Sequence, residues 1–152
     1  IEYLASGLEC RIVFLDHLSI LLSGLDGDER KMIDTTMTKL RSLVERTGIS
    51  LFLVSHLRRS NNDRHAHEEG GRVSLSQLRG SHSIAQLSDQ VIGLERDQQA
   101  ETERDLTTVR VLKNRYSGET GYACKIKYDL STSRFTEHET TESSVFNPST
   151  DF

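Results

Sequence analysis

Arg11-Ile12-Val13-Phe14-Leu15-Asp16 is an apolar run that ends in a carboxylate. Such an uninterrupted run is typical of a strand that is buried on both faces in a parallel sheet. A carboxylate at the carboxyl end of that strand lies at the sheet edge where open α/β folds bind ligands. Asp16 is therefore the first candidate for a functional residue, although buried strands ending in aspartate also occur in proteins without such a site.

The next segment predicts a helix and a second parallel strand. Apolar residues recur at helical spacing from Ile33 to Val44, which predicts a helix from Glu29 to Thr47. The run from Ile49 to His56 is again apolar and ends in a polar residue, so strand, helix and strand form a parallel unit. We expect His56 at the same sheet edge as Asp16. The alternative is a strand-end histidine bonded to the backbone.

The middle of the chain predicts a loop, a third strand and a hairpin. Leu57 to Val73 is polar and rich in arginine, which favours an exposed loop. A short helical stretch between Leu75 and Ser88 precedes a third strand at Gln90 to Glu95. Leu106 to Lys113 is predicted to pair antiparallel with Cys124 to Tyr128. We therefore expect an α/β fold with a mostly parallel sheet, flanking helices and a terminal antiparallel hairpin.

Composition limits the class of protein. The 152 residues, 35% hydrophobic and 28% charged, suit one globular domain or a piece of a larger one. No apolar run approaches the roughly 20 residues that cross a bilayer, so no membrane partner is expected. Cys10 and Cys124 lie far apart without C-x-x-C spacing, which indicates small buried thiols in a reducing cytoplasm rather than a disulfide. The net charge of −4 excludes a uniformly basic surface.

The two ends of the sequence differ from its middle. The chain opens with Ile1 rather than Met, which indicates an internal cut. Residues 138–152 contain no lysine or arginine, hold the only proline and end in Phe152. This composition predicts a disordered acidic tail, so the folded part is expected over residues 1–137.

Two groups of basic residues can contact anions. Lys113 and Arg115 lie two residues apart at the end of a predicted strand, beside a tight turn. An arginine held rigidly there can stabilise phosphoryl transfer, also across a subunit boundary, the alternative being a solvated hairpin end. Arg58, Arg59 and Arg64 lie in the polar loop, where they can hold a phosphodiester backbone without reading bases. The alternative is a plain surface loop.

Five short motifs follow one another along the chain. They are Ile12–His17, Ser55-His56-Leu57, Gln77-Leu78-Arg79-Gly80-Ser81, Gln86-Leu87-Ser88-Asp89 and Lys113-Asn114-Arg115-Tyr116-Ser117-Gly118. The series resembles that of hexameric replicative DNA helicases, which are RecA-like and of the DnaB type. It is similar in particular to the helicase half of the bifunctional primase-helicases of T-seven-like phages, over essentially the whole chain.

The resemblance implies a fold and an activity. The fold would be the carboxy-terminal half of a RecA-like P-loop NTPase core. The whole enzyme would hydrolyse ATP or a deoxynucleoside triphosphate, dTTP included, with Mg²⁺. It would use that energy to move on single-stranded DNA and unwind the duplex at the replication fork. The residues alone also leave open a RecA-like recombination or DNA-binding ATPase that does not unwind.

The resemblance also implies roles at the bound nucleotide. Asp16 would hold Mg²⁺, and His56 would sense the γ-phosphate and report it to the adjoining DNA-binding loop. Gln86 would be a γ-phosphate switch residue. Arg115 would be the finger donated to the nucleotide of the neighbouring subunit, with Lys113 beside it.

Further roles concern the base, the DNA and the partners. Arg96 and Tyr128 would sandwich the base, Tyr128 by stacking and Arg96 by planar contact. The residues implied in DNA binding are Arg58, Arg59, Arg64, Arg79 and Gly80. Phe152 would anchor the acidic tail on DNA polymerase and other replisome proteins. The subunits would form a hexameric ring in the cytoplasm, that of the bacterial host for a phage protein.

The chain departs from the family pattern in some places. His82 stands where the family has a small glycine, and Ala85 stands where it has a basic residue. No G-x-x-x-x-G-K-[ST] motif occurs, and His17 rather than a carboxylate follows Asp16. The phosphate-binding loop and the catalytic glutamate are therefore expected upstream of Ile1, and the fragment is expected to be inactive alone.

Overall fold

The computed structural model describes two compact units of the chain. The described residues are 1–23, 27–58, 67–78 and 82–138. The first unit comprises Ile1–Arg58 and Ser76–Ser88, and the second comprises Arg59–Leu75 and Asp89–Phe152. Within the described ranges no helix has the length and apolar character needed to cross a bilayer.

The first unit combines a pair of parallel strands with short and long helices. Its elements are α1 (Glu2–Ser6), β1 (Ile12–Leu15), α2 (Leu18–Leu22), α3 (Glu29–Thr47), β2 (Ser50–Leu53) and α4 (Ser83–Leu87). A 3-10 turn at Leu75–Gln77 precedes α4 in the chain. β1 and β2 pair in parallel, with Val13 opposite Leu51. The predicted strand–helix–strand unit is confirmed, whereas α1 and α2 were not predicted.

α3 has the bounds that its sequence predicts. The side chain of Asp28 accepts hydrogen bonds from the backbone N–H groups of Arg30 at 2.9 Å and Lys31 at 3.4 Å. At the other end Gly48 adopts the left-handed conformation, with a φ of 69°. Capping at both ends satisfies backbone groups that have no partner within the helix. Local signals were therefore sufficient to fix this helix.

An apolar core holds the first unit together. The helices α2, α3 and α4 supply its buried side chains, which are Leu18, Leu22, Ile33, Met37, Leu40 and Ile84. Leu51 and Leu53 of β2 pack against this cluster. Because the free energy of burial scales with apolar area removed from water, these contacts are the main source of the unit's stability.

The strand pair is covered on one face among the described residues. Phe14 and Phe52 stack on its other face, with ring centroids 4.8 Å apart. Their exposed fractions are 73% and 51%. Burial of β1 on both faces, as the apolar run predicts, is therefore not observed. The physical reason is that no described element of the first unit lies over this face.

The second unit is an antiparallel sheet. Its strands are β3 (Gln90–Glu95), β4 (Leu106–Asn114), β5 (Gly121–Asp129) and β6 (Arg134–His138). They are adjacent in chain order, and each pair is antiparallel. The third strand and the hairpin are as predicted, and β6 was not predicted.

The expectation of a mostly parallel sheet is wrong for the described residues. Only β1 and β2 are parallel there, in a sheet of their own. The connections between β3, β4, β5 and β6 contain no helix. A parallel pairing needs a crossover of about a dozen residues or more, usually through a helix, so these short connections give antiparallel neighbours.

The first and last residues of the predicted loop from Leu57 to Val73 are packed against other residues. Leu57 forms an isolated antiparallel bridge with Leu78. Val73 is only 4% exposed. Residues 59–66 lie outside the described ranges. Glu68, Glu69, Gly70 and Arg72 are exposed, as predicted for the loop, whereas its last residue, Val73, packs into the second unit.

Both cysteines are free thiols, as predicted. Cys10 and Cys124 are half-buried rather than buried. Burial, together with the nearby charge of Glu137, raises the pKa of the Cys124 thiol. A raised pKa keeps this thiol protonated and unreactive at neutral pH.

Candidate nucleotide and DNA site

Asp16 and His56 lie at one edge of the parallel strand pair. Leu15 pairs with Leu53, and just beyond them the N–H of Val54 donates to the carbonyl of Leu15 at 2.9 Å. Asp16 is exposed, and within the described ranges its carboxylate makes no ion pair. The parallel pairing thus brings a carboxylate and an imidazole to the same edge, with the carboxylate accessible to a cation.

His17, which follows Asp16, lies against His56 at the end of the other strand. Its ring centroid lies 4.3 Å from that of His56, and the rings meet edge to face at 76°. Nδ1 of His17 is buried and has no hydrogen-bond partner among the residues that the structure describes. No group of three or more potential metal-ligating side chains occurs in those residues. The edge therefore holds one carboxylate beside two imidazoles rather than a closed metal site.

Gln86 lies on α4 and lines an open groove of about 450 Å³ between α4 and α3. Arg30 and Asp34 line the same groove from α3. His82, one of the departures from the family pattern, also lines it, and its carbonyl accepts the N–H of Gln86 at 3.0 Å. The lining offers both signs of charge, which suits a polar ligand.

Arg115 lies just beyond β4 and is held by its own chain. Its guanidinium donates to the carboxylate of Asp89 at 2.9 Å, and its backbone N–H donates to the carbonyl of Asp89 at 2.8 Å. The Arg115 side chain is still 42% exposed. Lys113 is half-buried in β4 and pairs with Val91. The contacts with Asp89 hold the guanidinium in a defined position while part of it stays accessible.

Arg96 and Tyr128 lie together at the other end of β4. Nε of Arg96 donates to the carbonyl of Arg104 at 2.6 Å. The backbone N–H of Tyr128 donates to the carbonyl of Asp105, the residue after Arg104, at 2.9 Å. The Tyr128 ring lies 5.0 Å from that of Phe135. Arg96 follows β3 and Tyr128 lies in β5, so the two proposed base contacts flank the same end of β4.

β4 separates these two sets of side chains. It is nine residues long. At the usual rise of a strand this length corresponds to about 30 Å. Arg115 at one end and the Arg96–Tyr128 edge at the other therefore lie too far apart to bind the same part of one small ligand.

Arg58 is the one predicted DNA contact within the described ranges. It is exposed, and its backbone N–H donates to the carbonyl of Gln77 at 2.8 Å. The other residues predicted to bind DNA or partners lie outside the described residues; these are Arg59, Arg64, Arg79, Gly80 and Phe152. The predicted acidic tail lies outside them from residue 139 onward.

Comparison with known proteins identifies the family. Residues 3–137 match the DnaB-like helicase C terminal domain. The chain belongs to this family. The DnaB-like chain is also similar to the DNA helicase/primase of Enterobacteria phage T3, with 44% identity over 133 residues. This alignment covers 87% of the chain and 23% of the phage T3 protein, so the chain spans less than a quarter of that relative's length.

Membership of the DnaB-like family confirms the predicted resemblance and the RecA-like α/β class of the fold. Helicases of this family in general use a nucleotide with Mg²⁺ and act on single-stranded DNA as hexamers.

The DnaB-like chain contains a buried ion pair that the sequence analysis missed. Arg110 donates to both carboxylate oxygens of Glu95, from Nε at 2.8 Å and from a terminal nitrogen at 3.0 Å. The two side chains are 16% and 7% exposed. The backbone N–H of Val73 donates to the same carboxylate at 2.9 Å. A polar residue that closes an apolar strand was the available signal, as it was for Asp16.

The ionisation of this pair follows from competing effects. Burial alone would raise the pKa of Glu95, but the hydrogen bonds from Arg110 and Val73, together with the positive charges of Arg110 and Arg72, outweigh it and lower that pKa. The hydrogen bond to Glu95 raises the pKa of Arg110 in spite of burial. Both groups are therefore charged at neutral pH, as a stable buried pair requires.

Proposed function

We propose that this chain is the carboxy-terminal part of the motor of a replicative DNA helicase, which hydrolyses a nucleoside triphosphate between identical subunits. The observation that supports it most is the separation of Arg115 from Arg96 and Tyr128 by the length of β4. Because these groups are too far apart for one nucleotide, each subunit contributes to two sites. A closed ring gives every subunit the two neighbours that this requires.

At the nucleotide, Asp16 is proposed to bind Mg²⁺. Magnesium is usually held by one or two carboxylates together with phosphate oxygens and water, so a single exposed carboxylate fits it. The ion would neutralise charge on the β- and γ-phosphates. His56 shares the strand edge with Asp16 and is proposed to sense the γ-phosphate, with Gln86 as a switch. The nucleotide would be ATP or a deoxynucleoside triphosphate.

Outside the nucleotide site, the proposal includes DNA and protein partners. Arg58 is exposed at the start of the predicted DNA-binding loop, where it can contact a phosphate. The remaining proposed DNA contacts are Arg59, Arg64, Arg79 and Gly80. Phe152 and the acidic tail would bind the polymerase and other replisome proteins. We place the protein in the cytoplasm, that of the bacterial host if a phage encodes it.

The finger assignment is tested by Arg115→Ala in the full-length protein. We expect DNA-stimulated hydrolysis to fall by about a thousandfold or more, while nucleotide binding is largely retained. The matched control is Arg46→Ala, which removes another arginine from an ion pair, here an exposed one with Glu2 at 2.8 Å. Unchanged turnover in Arg115→Ala would refute the finger.

Variants at the two ends of β4 should also differ in their kinetics of hydrolysis. Tyr128→Ala is expected to raise KM for the nucleotide with kcat largely kept, since it removes a ground-state contact to the base. Arg115→Ala is expected to lower kcat with little change in KM. A strand-displacement assay then distinguishes a helicase from a RecA-like DNA-binding ATPase, which would hydrolyse nucleotide without separating strands.

A further inference from the structure

We propose that the buried Glu95–Arg110 pair anchors the downstream end of the DNA-binding loop to the sheet, which makes Glu95 a positioning residue for single-stranded DNA. The inference rests on the proposed DNA role of the loop that follows Leu57. It concerns residues 67–73, which lead from that loop back into the second unit.

Three backbone contacts attach this segment to the end of β3. The N–H of Val73 donates to the Glu95 carboxylate at 2.9 Å. The N–H of Gln98 donates to the carbonyl of Glu68 at 2.9 Å. Glu69 forms an antiparallel bridge with Asp97. Residues 68–73 therefore run alongside residues 95–98 and are bonded to them at both ends.

Close packing reinforces this attachment. Val73 is 4% exposed. A Cβ placed on Gly93 would lie 3.4 Å from Cβ of Val73 and 3.2 Å from Cδ1 of Leu112. A Cβ placed on Gly70, where φ is 74°, would lie 3.1 Å from Cβ of Asp97. Glycine at both positions thus allows the segment to approach the sheet this closely.

The ion pair determines how firmly Val73 is held. Arg110 lies within β4 and binds both oxygens of Glu95, so the carboxylate has little freedom to turn. A hydrogen bond to an ionised acceptor is stronger than one between neutral groups. Moving residues 68–73 away from the sheet would leave a buried charge with fewer partners, which costs more than breaking an exposed contact.

The attachment points lie on both sides of Arg96. Glu95 precedes this proposed base contact, and Asp97 and Gln98 follow it. A change in the position of the loop end is therefore transmitted directly to the strand end that carries Arg96. This gives the anchor a second role, in which bound DNA alters the affinity for nucleotide.

The test compares two double variants of the full-length protein. E95Q/R110M removes both charges but keeps an oxygen that can accept the N–H of Val73. E95M/R110M removes the charges and that acceptor, with a side chain of similar length. Glu45→Gln, in the exposed Arg41–Glu45 pair of α3, is the control for the loss of one carboxylate. Each protein is measured for DNA-independent hydrolysis, for the single-stranded DNA concentration that gives half-maximal stimulation, and for amide hydrogen exchange over residues 67–73.

We expect E95M/R110M to need about fivefold more DNA than E95Q/R110M, the effect of losing one hydrogen bond. Its residues 67–73 should exchange faster, and KM for nucleotide should depend less on DNA. At saturating nucleotide, DNA-independent hydrolysis should stay within about twofold of the unmodified protein, because a shift of the Arg96 base contact changes KM rather than kcat. Equal DNA requirements or equal exchange in the two double variants would overturn the anchor.

Gly93→Ala supplies a test that leaves all charges in place. Its added methyl group would crowd Cδ1 of Leu112 at 3.2 Å and would touch Cβ of Val73 at 3.4 Å. Because the sheet must shift beneath Val73 to make room, the DNA requirement should again rise with the DNA-independent rate kept. Arg58→Ala distinguishes a failure of the anchor from a failure of the proposed DNA role of the loop. If Arg58→Ala weakens the DNA response and E95M/R110M does not, only the anchor is wrong. If neither variant changes the response, the DNA role of the loop is contradicted and the anchor with it.

Discussion

The first unit buries apolar side chains from three helices. The second unit buries not only apolar side chains, among them Val73 and Leu106, but also a carboxylate, that of Glu95. Apolar contacts are non-directional, so the first unit depends mainly on the volume and area that its side chains fill. The Glu95–Arg110 pair is directional and depends on ionisation. The two units should therefore respond differently to mutation and pH, and the second is suited to holding a backbone segment in one position.

The largest effect is expected from a cavity in the first unit. Ile33→Ala keeps helix propensity in α3 but removes a side chain that is 3% exposed. We expect a loss of about 3 to 4 kcal/mol in the free energy of unfolding of that unit. Denaturant titration with hydrogen exchange resolved by unit would measure it. The control is Thr35→Ala on the exposed face of the same helix, and similar losses in both variants would contradict the apolar core.

A somewhat smaller effect is expected from breaking the buried pair of the second unit. Glu95→Gln leaves the guanidinium of Arg110 without its charge partner, which should cost about 3 kcal/mol. The double variant E95M/R110M should lose much less, because it buries no unpaired charge. The same exchange measurement applies. If the double variant is as unstable as the single one, the second unit does not differ from the first in the way proposed.

The pH dependence sharpens the contrast further. The pKa of Glu95 is below its ordinary value of 4.5 in the folded protein, so its contribution to stability is present above that value. The contribution is lost as the pH falls through the lower, folded pKa. We expect acid to weaken the second unit of the unmodified protein more than that of E95Q/R110M. Unfolding measured from pH 6 to about pH 2 would show it.

Asp129 has to be separated from this effect. Hydrogen bonds from Ser131 and Thr132 lower its pKa as well. Asp129 is present in both the unmodified protein and E95Q/R110M, so the difference between the two acid profiles reports on Glu95 alone. Identical profiles would show that the buried pair makes no pH-dependent contribution.

The smallest effect is expected from an exposed ion pair of the first unit. Arg41 and Glu45 lie 2.7 Å apart on α3, and the Glu45 side chain is 60% exposed. Glu45→Gln should change the free energy of unfolding by less than about 0.5 kcal/mol. Thermal unfolding in low and high salt would measure this change. A loss of unfolding free energy comparable to that of Glu95→Gln would show that burial does not explain why the Glu95–Arg110 pair contributes more to stability.

The elements that the sequence predicted correctly are those whose signals are local. α3 was predicted to its last residue because Asp28 and Gly48 mark its ends and its apolar spacing is regular. β3 and the hairpin were predicted for similar reasons. α1 and α2 have five residues each, too few for a periodic pattern to develop. The antiparallel pairing of β3 with β4 was missed, because strand pairing depends on the connections between strands.

The candidate site shows the same division. Parallel pairing of two apolar runs was enough to expect Asp16 and His56 at one edge, and the structure brings them there. The contacts of Arg115 with Asp89 and of Glu95 with Arg110 join side chains that are 26 and 15 residues apart. Periodicity within one element carries no information about such partners.

The stacked pair of Phe14 and Phe52 has a practical consequence. Both rings contact water on a two-stranded sheet, and Ile12 beside them is 59% exposed. Exposed apolar surface next to strand edges favours association between copies of a chain as the protein concentration rises. We therefore expect the chain to stay in clear solution at a higher concentration when Phe14 or Phe52 is replaced by a polar residue.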